Sequence, residues 1–151
     1  MATLLSINIS KGGVPKRSMP ACVITANGLE GDRQRDLESH GGPTRAVCLY
    51  SQDLIEALQA EGHPIGAGTI GENLTLGGVA WSEMIPGAQY AIGEVRLELT
   101  GYAAPCNIIA ASFRDRRTGR VSQKAHPGWS RLYARVLKEG TVRVGDRVER
   151  C

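Results

Sequence analysis

Nineteen glycines are spread along 151 residues, several of them paired as at Gly12-Gly13, Gly41-Gly42 and Gly77-Gly78. They cut the chain into short runs, so a bundle of long helices is excluded and short strands joined by tight turns are favoured. A chain of this length forms one domain, here residues 1–151, and buries roughly 70% of its unfolded surface without needing disulfide or metal staples. No internal repeat or dividing linker is visible. No apolar run reaches the length of a membrane-spanning helix.

The runs between glycines read mostly as strands. Leu4 to Ile9, Ala21 to Thr25, Arg45 to Ser51 and Asn73 to Leu76 are β-prone. Gln89 to Ile92 and Val95 to Thr100 flank Gly93-Glu94 like a hairpin. Val95, Leu97 and Leu99 alternate with Arg96, Glu98 and Thr100, the period of a half-buried strand. Leu132 to Leu137 and Gly140 to Val144 read as a strand pair about Glu139-Gly140, and Arg147-Val148-Glu149 as a terminal strand. Ser51 to Glu61 reads as a helix capped by Ser51 and ended by Gly62. Asn107 to Phe113 reads as a second short helix, and Arg114 to Lys124 as a loop or its irregular continuation. The expected fold is mainly β, a closed or half-closed barrel with a few short peripheral helices.

Charge is uneven. Residues 1–113 carry a net −4 and residues 114–151 a net +7. A basic third of this kind meets an anionic partner or cofactor, or forms a solvated face. Aromatic residues are only 5% of the chain and dispersed, which argues against base stacking and hence against a nucleic-acid-binding module. The N-terminal segment lacks the pattern of a secretory leader, so the four cysteines are expected reduced in a cytoplasm. Cys22 and Cys48 fall in apolar runs and are expected in the core. There is no Cys-x-x-Cys, so a structural zinc site is not expected.

Three constellations carry chemistry. The first runs from Asn27 to Arg45 and includes Arg33, Arg35, His40, Gly41, Gly42 and Arg45. Glycines allow backbone N–H groups to approach a ligand, and arginines grip phosphate or carboxylate through paired donors. Neither a P-loop nor a dinucleotide-binding fingerprint is present. The second is Gly71-Glu72-Asn73, two polar side chains at a sharp turn before a strand; Asn73 either faces a ligand or holds the turn. The third is Pro105-Cys106-Asn107, where a strand end gives way to a helix. A thiol there is either a nucleophile or soft-metal ligand, or a core cysteine.

In order and spacing, Gly28-Leu-Glu-Gly-Asp-Arg33, His40-Gly-Gly-x-x-Arg-Ala-Val47, Gly71-Glu-Asn-Leu-Thr-Leu76 and Pro105-Cys106 resemble the MOSC domain, the molybdenum-cofactor sulfurase C-terminal domain family. The resemblance spans residues 4 to 149 and points to a bacterial-type, stand-alone member. It implies a β-barrel and binding of the molybdenum cofactor, a molybdopterin. Cys106 matches the family cysteine that ligates molybdenum in the reductases, and so is expected as metal ligand and catalytic residue. Arg33, His40, Gly41, Gly42, Arg45, Glu72, Asn73 and Asn107 are expected to form or adjoin the cofactor pocket. Tyr102-Ala103-Ala104 precede the Pro-Cys pair where many relatives have Arg or Ser. No pyridoxal phosphate is expected in such a domain.

Three functions follow as expectations. The first is a small oxidoreductase component that reduces N-hydroxylated small molecules and takes electrons from a separate donor protein. The second is a sulfur carrier, loaded by a sulfur donor protein and holding a persulfide on Cys106. The third is a non-enzymatic binding module. Neither nucleic acid nor a membrane is an expected partner.

Overall fold

The computed structural model describes residues 1–33 and 42–151. His40 and Gly41 lie outside the described residues. In chain order the strands are β1 (Thr3–Ile9), β2 (Arg17–Met19), β3 (Ala21–Thr25), β4 (Gly28–Leu29), β5 (Val47–Ser51), β6 (Leu74–Gly77), β7 (Gln89–Ile92), β8 (Val95–Tyr102), β9 (Leu132–Lys138), β10 (Gly140–Arg143) and β11 (Val148–Arg150). One α-helix, α1 (Gln52–Ala60), links β5 to β6, and these two strands run parallel. Short 3-10 helices occupy Pro43–Arg45, Trp81–Glu83, Asn107–Ser112 and Thr118–Val121.

Eight strands form one sheet in the order β11-β7-β8-β9-β5-β6-β1-β2, and β10-β3-β4 form a second. The large sheet curls, but it is not closed into a barrel. Its edge strand β11 reaches β1 only at a bridge between Thr3 and Arg147. Backbone bonds from Leu4 N–H to Asp146 O and from Val148 N–H to Ala2 O fasten that corner. Closure stops there because β2 takes the far half of β1, at Ile7 to Ile9. The fold is thus mainly β as expected, with the half-closed rather than the closed alternative realised.

The local expectations held where local chemistry decides. Ser51 caps α1, its Oγ accepting the Leu54 N–H at 3.3 Å, and Ile55 and Leu58 are buried beneath. The hairpin of β7 and β8 forms about Gly93-Glu94. Strand β5 starts at Val47, two residues later than expected, because Pro43 opens a 3-10 turn through Arg45. The second expected helix is a six-residue 3-10 helix. The expected pairing of the last two long strands does not form. Strand β9 is hydrogen-bonded along both edges, to β8 and to β5, so β10 crosses to pair with β3 instead.

The main core is lined by Leu4, Ile7, Leu49, Leu74, Leu76, Leu97, Leu99, Leu132 and Ala134, all essentially inaccessible. Full burial of each such large aliphatic side chain stabilises by about 1.5–3 kcal/mol. Strand β5 is buried on both faces. Val47 and Leu49 join the main core, while Cys48 packs with Ala103 and Tyr133 in a separate cluster. That second face leads to the site. Among the described residues, no helix is long and apolar enough to cross a membrane.

Candidate functional site

The second face of the sheet carries a buried polar layer across β1, β6, β5 and β9. Asn73 is its hub. Its Oδ1 accepts the Cys48 N–H at 3.0 Å, and its Nδ2 donates to Asp32 Oδ2 at 2.9 Å and to Asn8 O at 3.2 Å. Its backbone also bonds both neighbours, from Asn73 N–H to Cys48 O and from Asn8 N–H to Asn73 O. Asn73 therefore clips three chain segments together, with both amide hydrogens committed and its oxygen already accepting one bond.

Asp32 is equally committed. Its Oδ1 accepts Lys16 Nζ at 2.6 Å and the Ser10 N–H at 2.9 Å, and both charged side chains are at most 5% exposed. The Arg33 N–H donates to Ser10 O at 2.8 Å, and Arg33 is exposed at the near stem of the segment 34–41. The other stem is Gly42, at φ 82, with open space where a Cβ would stand. The Thr100 hydroxyl donates to Thr44 O and ties this stem to β8. Both ends of the Gly/Arg-rich segment are thus held by the sheet.

Glu72 is fully buried beneath this layer. Its Oε2 accepts from Thr75 Oγ1 at 3.0 Å, while Oε1 has no hydrogen-bond partner among the described residues. Burial pushes its carboxyl up to about 7, against the nearby backbone dipoles of Gly68 and Glu72, the hydrogen bond from Thr75 and the field of Arg131. Arg131, 4% exposed, donates to Ile70 O at 2.8 Å and to Ala104 O at 3.4 Å. It joins the loop before β6 to the loop that carries Cys106. Ser130 reinforces that link through its Oγ, which lies 3.2 Å from Ala103 O.

Cys106 takes the N-cap position of the 3-10 helix and is half-buried. Its side chain makes no capping hydrogen bond. A six-residue 3-10 stretch supplies little helix dipole at this thiol. Burial pushes the Tyr133 phenol up, and negative charge at Cys48 and, least of all, at Cys106 would act the same way, against the fields of Arg131 and Arg45. Burial likewise pushes the Cys48 thiol up to about 11, so Cys48 is an inert core thiol. Cys22, expected in the core, is only half-buried on β3.

Tyr133 also lines an open cleft of about 500 Å³, together with Thr44, Arg45, Tyr102 and Arg135 among others. The Arg45 guanidinium lies over the Tyr133 ring, 5.7 Å from its centroid. Gly87 and Gly101 also line the cleft, and neither has any atom within 4 Å of where a Cβ would stand. Gly101 sits at an irregularity between β8 and β9, which opens the sheet beside the cleft.

Of the residues singled out in the sequence, Arg45 lines this cleft, whereas Gly42, Cys106 and the exposed Asn107 are not among its lining residues, and exposed Arg33 immediately precedes residues 34–41. Glu72 and Asn73 lie buried as supports. Sequence reasoning missed Lys16, Asp32 as a paired carboxylate, Arg131 and Tyr133. Asp32 stood inside a quoted motif, but its partner Lys16 is sixteen residues away and unmarked by spacing. Arg131 looked like one more member of a basic third.

A family model described as the MOSC domain matches residues 36–149. Uncharacterized protein YflK of Bacillus subtilis is 30% identical over 139 residues, covering 91% of this chain and 62% of its own length. Protein YiiM of Escherichia coli is 31% identical over 125 residues, covering 80% of this chain and 54% of its own. The chain thus spans less than two thirds of the length of these curated relatives. Among solved structures, YiiM from Geobacillus stearothermophilus superposes with a TM-score of 0.75 at 22% identity, over 100% of this chain and 75% of that one. The YUAD protein from Bacillus subtilis superposes with a TM-score of 0.75 at 17% identity, over 98% of this chain and 94% of that one. At these identities the structural likeness speaks for the fold.

Proposed function

The chain belongs to the MOSC domain family, and from that premise we propose that it is a molybdenum-cofactor-binding oxidoreductase component that reduces N-hydroxylated compounds, with Cys106 as the molybdenum ligand. The observation that carries this reading is the half-buried thiol of Cys106, without a capping hydrogen bond, on a loop that buried Arg131 ties to the segment before β6.

The donor set fits the cofactor. A thiolate is the soft ligand that such a metal takes. Guanidinium groups at Arg45 and Arg33 suit a phosphate. An open cleft with Gly87 and Gly101 in its wall leaves room for a flat ring system. Cys106 would hold the metal, Arg45 and Arg33 the phosphate, and Gly42 and Asn107 would border the pocket. When bound, the cofactor supplies the redox centre that draws oxygen from the substrate.

The protein's own contribution is position. Arg131 fixes Ala104 two residues before Cys106, and Asn73 fixes β5 at Cys48, so the thiol and Tyr133 are presented by restrained backbone. In the overall reaction the N–O bond breaks, two electrons and two protons are taken up, and the oxygen leaves as water. Protein from a host that makes the cofactor, reduced by dithionite and given an N-hydroxylated amidine, is expected to yield the amidine. Cys106→Ser is expected to abolish that turnover. Undiminished turnover in Cys106→Ser would contradict the assignment.

A further inference from the structure

One residue beyond the 3-10 helix whose N-cap position Cys106 occupies comes Arg114-Asp115-Arg116-Arg117, and residues 114–124 hold five cations and a single carboxylate. Two contacts decide what that charge is free to do. Asp115 turns its carboxylate back on the chain, Oδ1 accepting the Arg117 N–H at 3.0 Å, and this bond holds its carboxyl below the usual range. Arg120 is spent on Glu61, through bonds of 2.9 and 2.7 Å, while stacked 3.9 Å from the centre of the Trp129 ring. Arg114, Arg116, Arg117 and, farther along, Lys124 remain exposed, and none has a carboxylate partner among the described residues.

The segment is also held in place. Phe113 is buried against His63, with ring centroids 5.4 Å apart. The Arg114 N–H donates to His63 Nδ1 at 3.3 Å, and the Arg116 N–H donates to Phe113 O at 2.9 Å. Arg116 has φ 60, the one described non-glycine residue in the left-handed region. A turn that needs this conformation is served best by Gly or Asn. A long cation there keeps a strained backbone in exchange for displayed charge.

We propose that Arg114, Arg116 and Arg117 form the docking surface for an acidic electron-transfer protein that reduces the Cys106 site. The proposal rests on the functional reading above and supplies its missing partner. The six-residue 3-10 helix between Cys106 and Phe113 rises about 2 Å per residue, so the surface lies on the order of 12 Å from the thiol along that path. A donor docked there brings its carrier close to the site. It delivers two electrons per N–O bond cleaved, as two one-electron transfers from a ferredoxin, and solvent supplies the two protons. Exposed charges facing an acidic partner set encounter rate and orientation, and their effect fades with salt.

The test uses the full chain and an acidic two-iron ferredoxin as probe. Binding is measured at about 50 mM and about 300 mM salt. Wild type is expected to bind at low salt and weaken at high salt. The triple variant Arg114→Glu, Arg116→Glu, Arg117→Glu is expected to bind at least tenfold more weakly, while Arg150→Glu on the terminal strand binds as wild type. Because Arg116→Gly fits the backbone, it is expected to weaken binding while melting at or above the wild-type temperature. Ferredoxin-driven turnover is expected to fall with binding in the triple variant, and dithionite-driven turnover to stay unchanged. Equal binding by wild type and the triple variant overturns the docking surface, as does an equal loss in Arg150→Glu. Wild type inactive even with dithionite overturns the functional reading instead, and the docking surface is then judged on binding alone.

Discussion

Glu72 shows how much a single residue can commit a site. A carboxyl with no exposed surface, one satisfied oxygen and one without a hydrogen-bond partner among the described residues is costly to ionise. Its folded pKa of about 7 lies above the ordinary carboxylate range. Between about pH 4.5 and 7 the folded protein therefore keeps a proton that the unfolded chain has released. Stability from this group is complete at low pH and is lost as pH rises through 7. The shift corresponds to about 3 kcal/mol at most. Glu72→Gln keeps an acceptor for Thr75 and removes the titration. Denaturant unfolding at pH 5 and pH 8 is expected to show wild type losing stability between the two and Glu72→Gln changing much less, with the variant the more stable at pH 8. An identical pH slope in both proteins would place Glu72 outside this role. Both Asp32 oxygens, by contrast, are engaged, by Lys16, Ser10 and Asn73.

Among the elements, what the sequence revealed divides by range. The Ser51 cap, the β7–β8 hairpin and the alternation along β8 were legible because their causes lie within a few residues. The destination of β10 was not, since it depends on β9 having both edges filled by strands drawn from elsewhere in the chain. The same limit applies to the site. Cys106, Arg45 and Asn73 stood out by type and company, yet Asn73 acts by clipping Asp32 and Cys48, contacts that span 41 and 25 residues. Arg131 left no local mark at all. The glycine pattern was legible as turns, but one glycine does more. Gly28, at φ 117 in β4, would place a Cβ 2.7 Å from Ala46 O, the residue that leads into β5. Gly28→Ala meets both a backbone clash and an unfavourable φ, and is expected to cost at least about 2 kcal/mol. Thermal unfolding checks this, and a melting temperature equal to wild type would mean that β4 can withdraw from β5.

Over the whole molecule, one curled sheet separates an apolar core from a polar second face, and the site grows from that face. The core positions β5, β8 and β9; the polar layer fixes both stems of the Gly/Arg-rich segment; Arg131 carries the restraint to the Cys106 loop. The basic segment beyond Cys106 extends the same construction to the surface. The family assignment agrees with this arrangement, and the cofactor reading turns on one thiol. Elemental mass spectrometry of the chain expressed in a host that makes the cofactor, beside Cys106→Ala, tests it directly. The account predicts molybdenum near one atom per chain in the wild type and its loss in the variant. Equal molybdenum in both proteins, or none in the wild type, would contradict it, and in the second case a persulfide on Cys106 would become the species to seek.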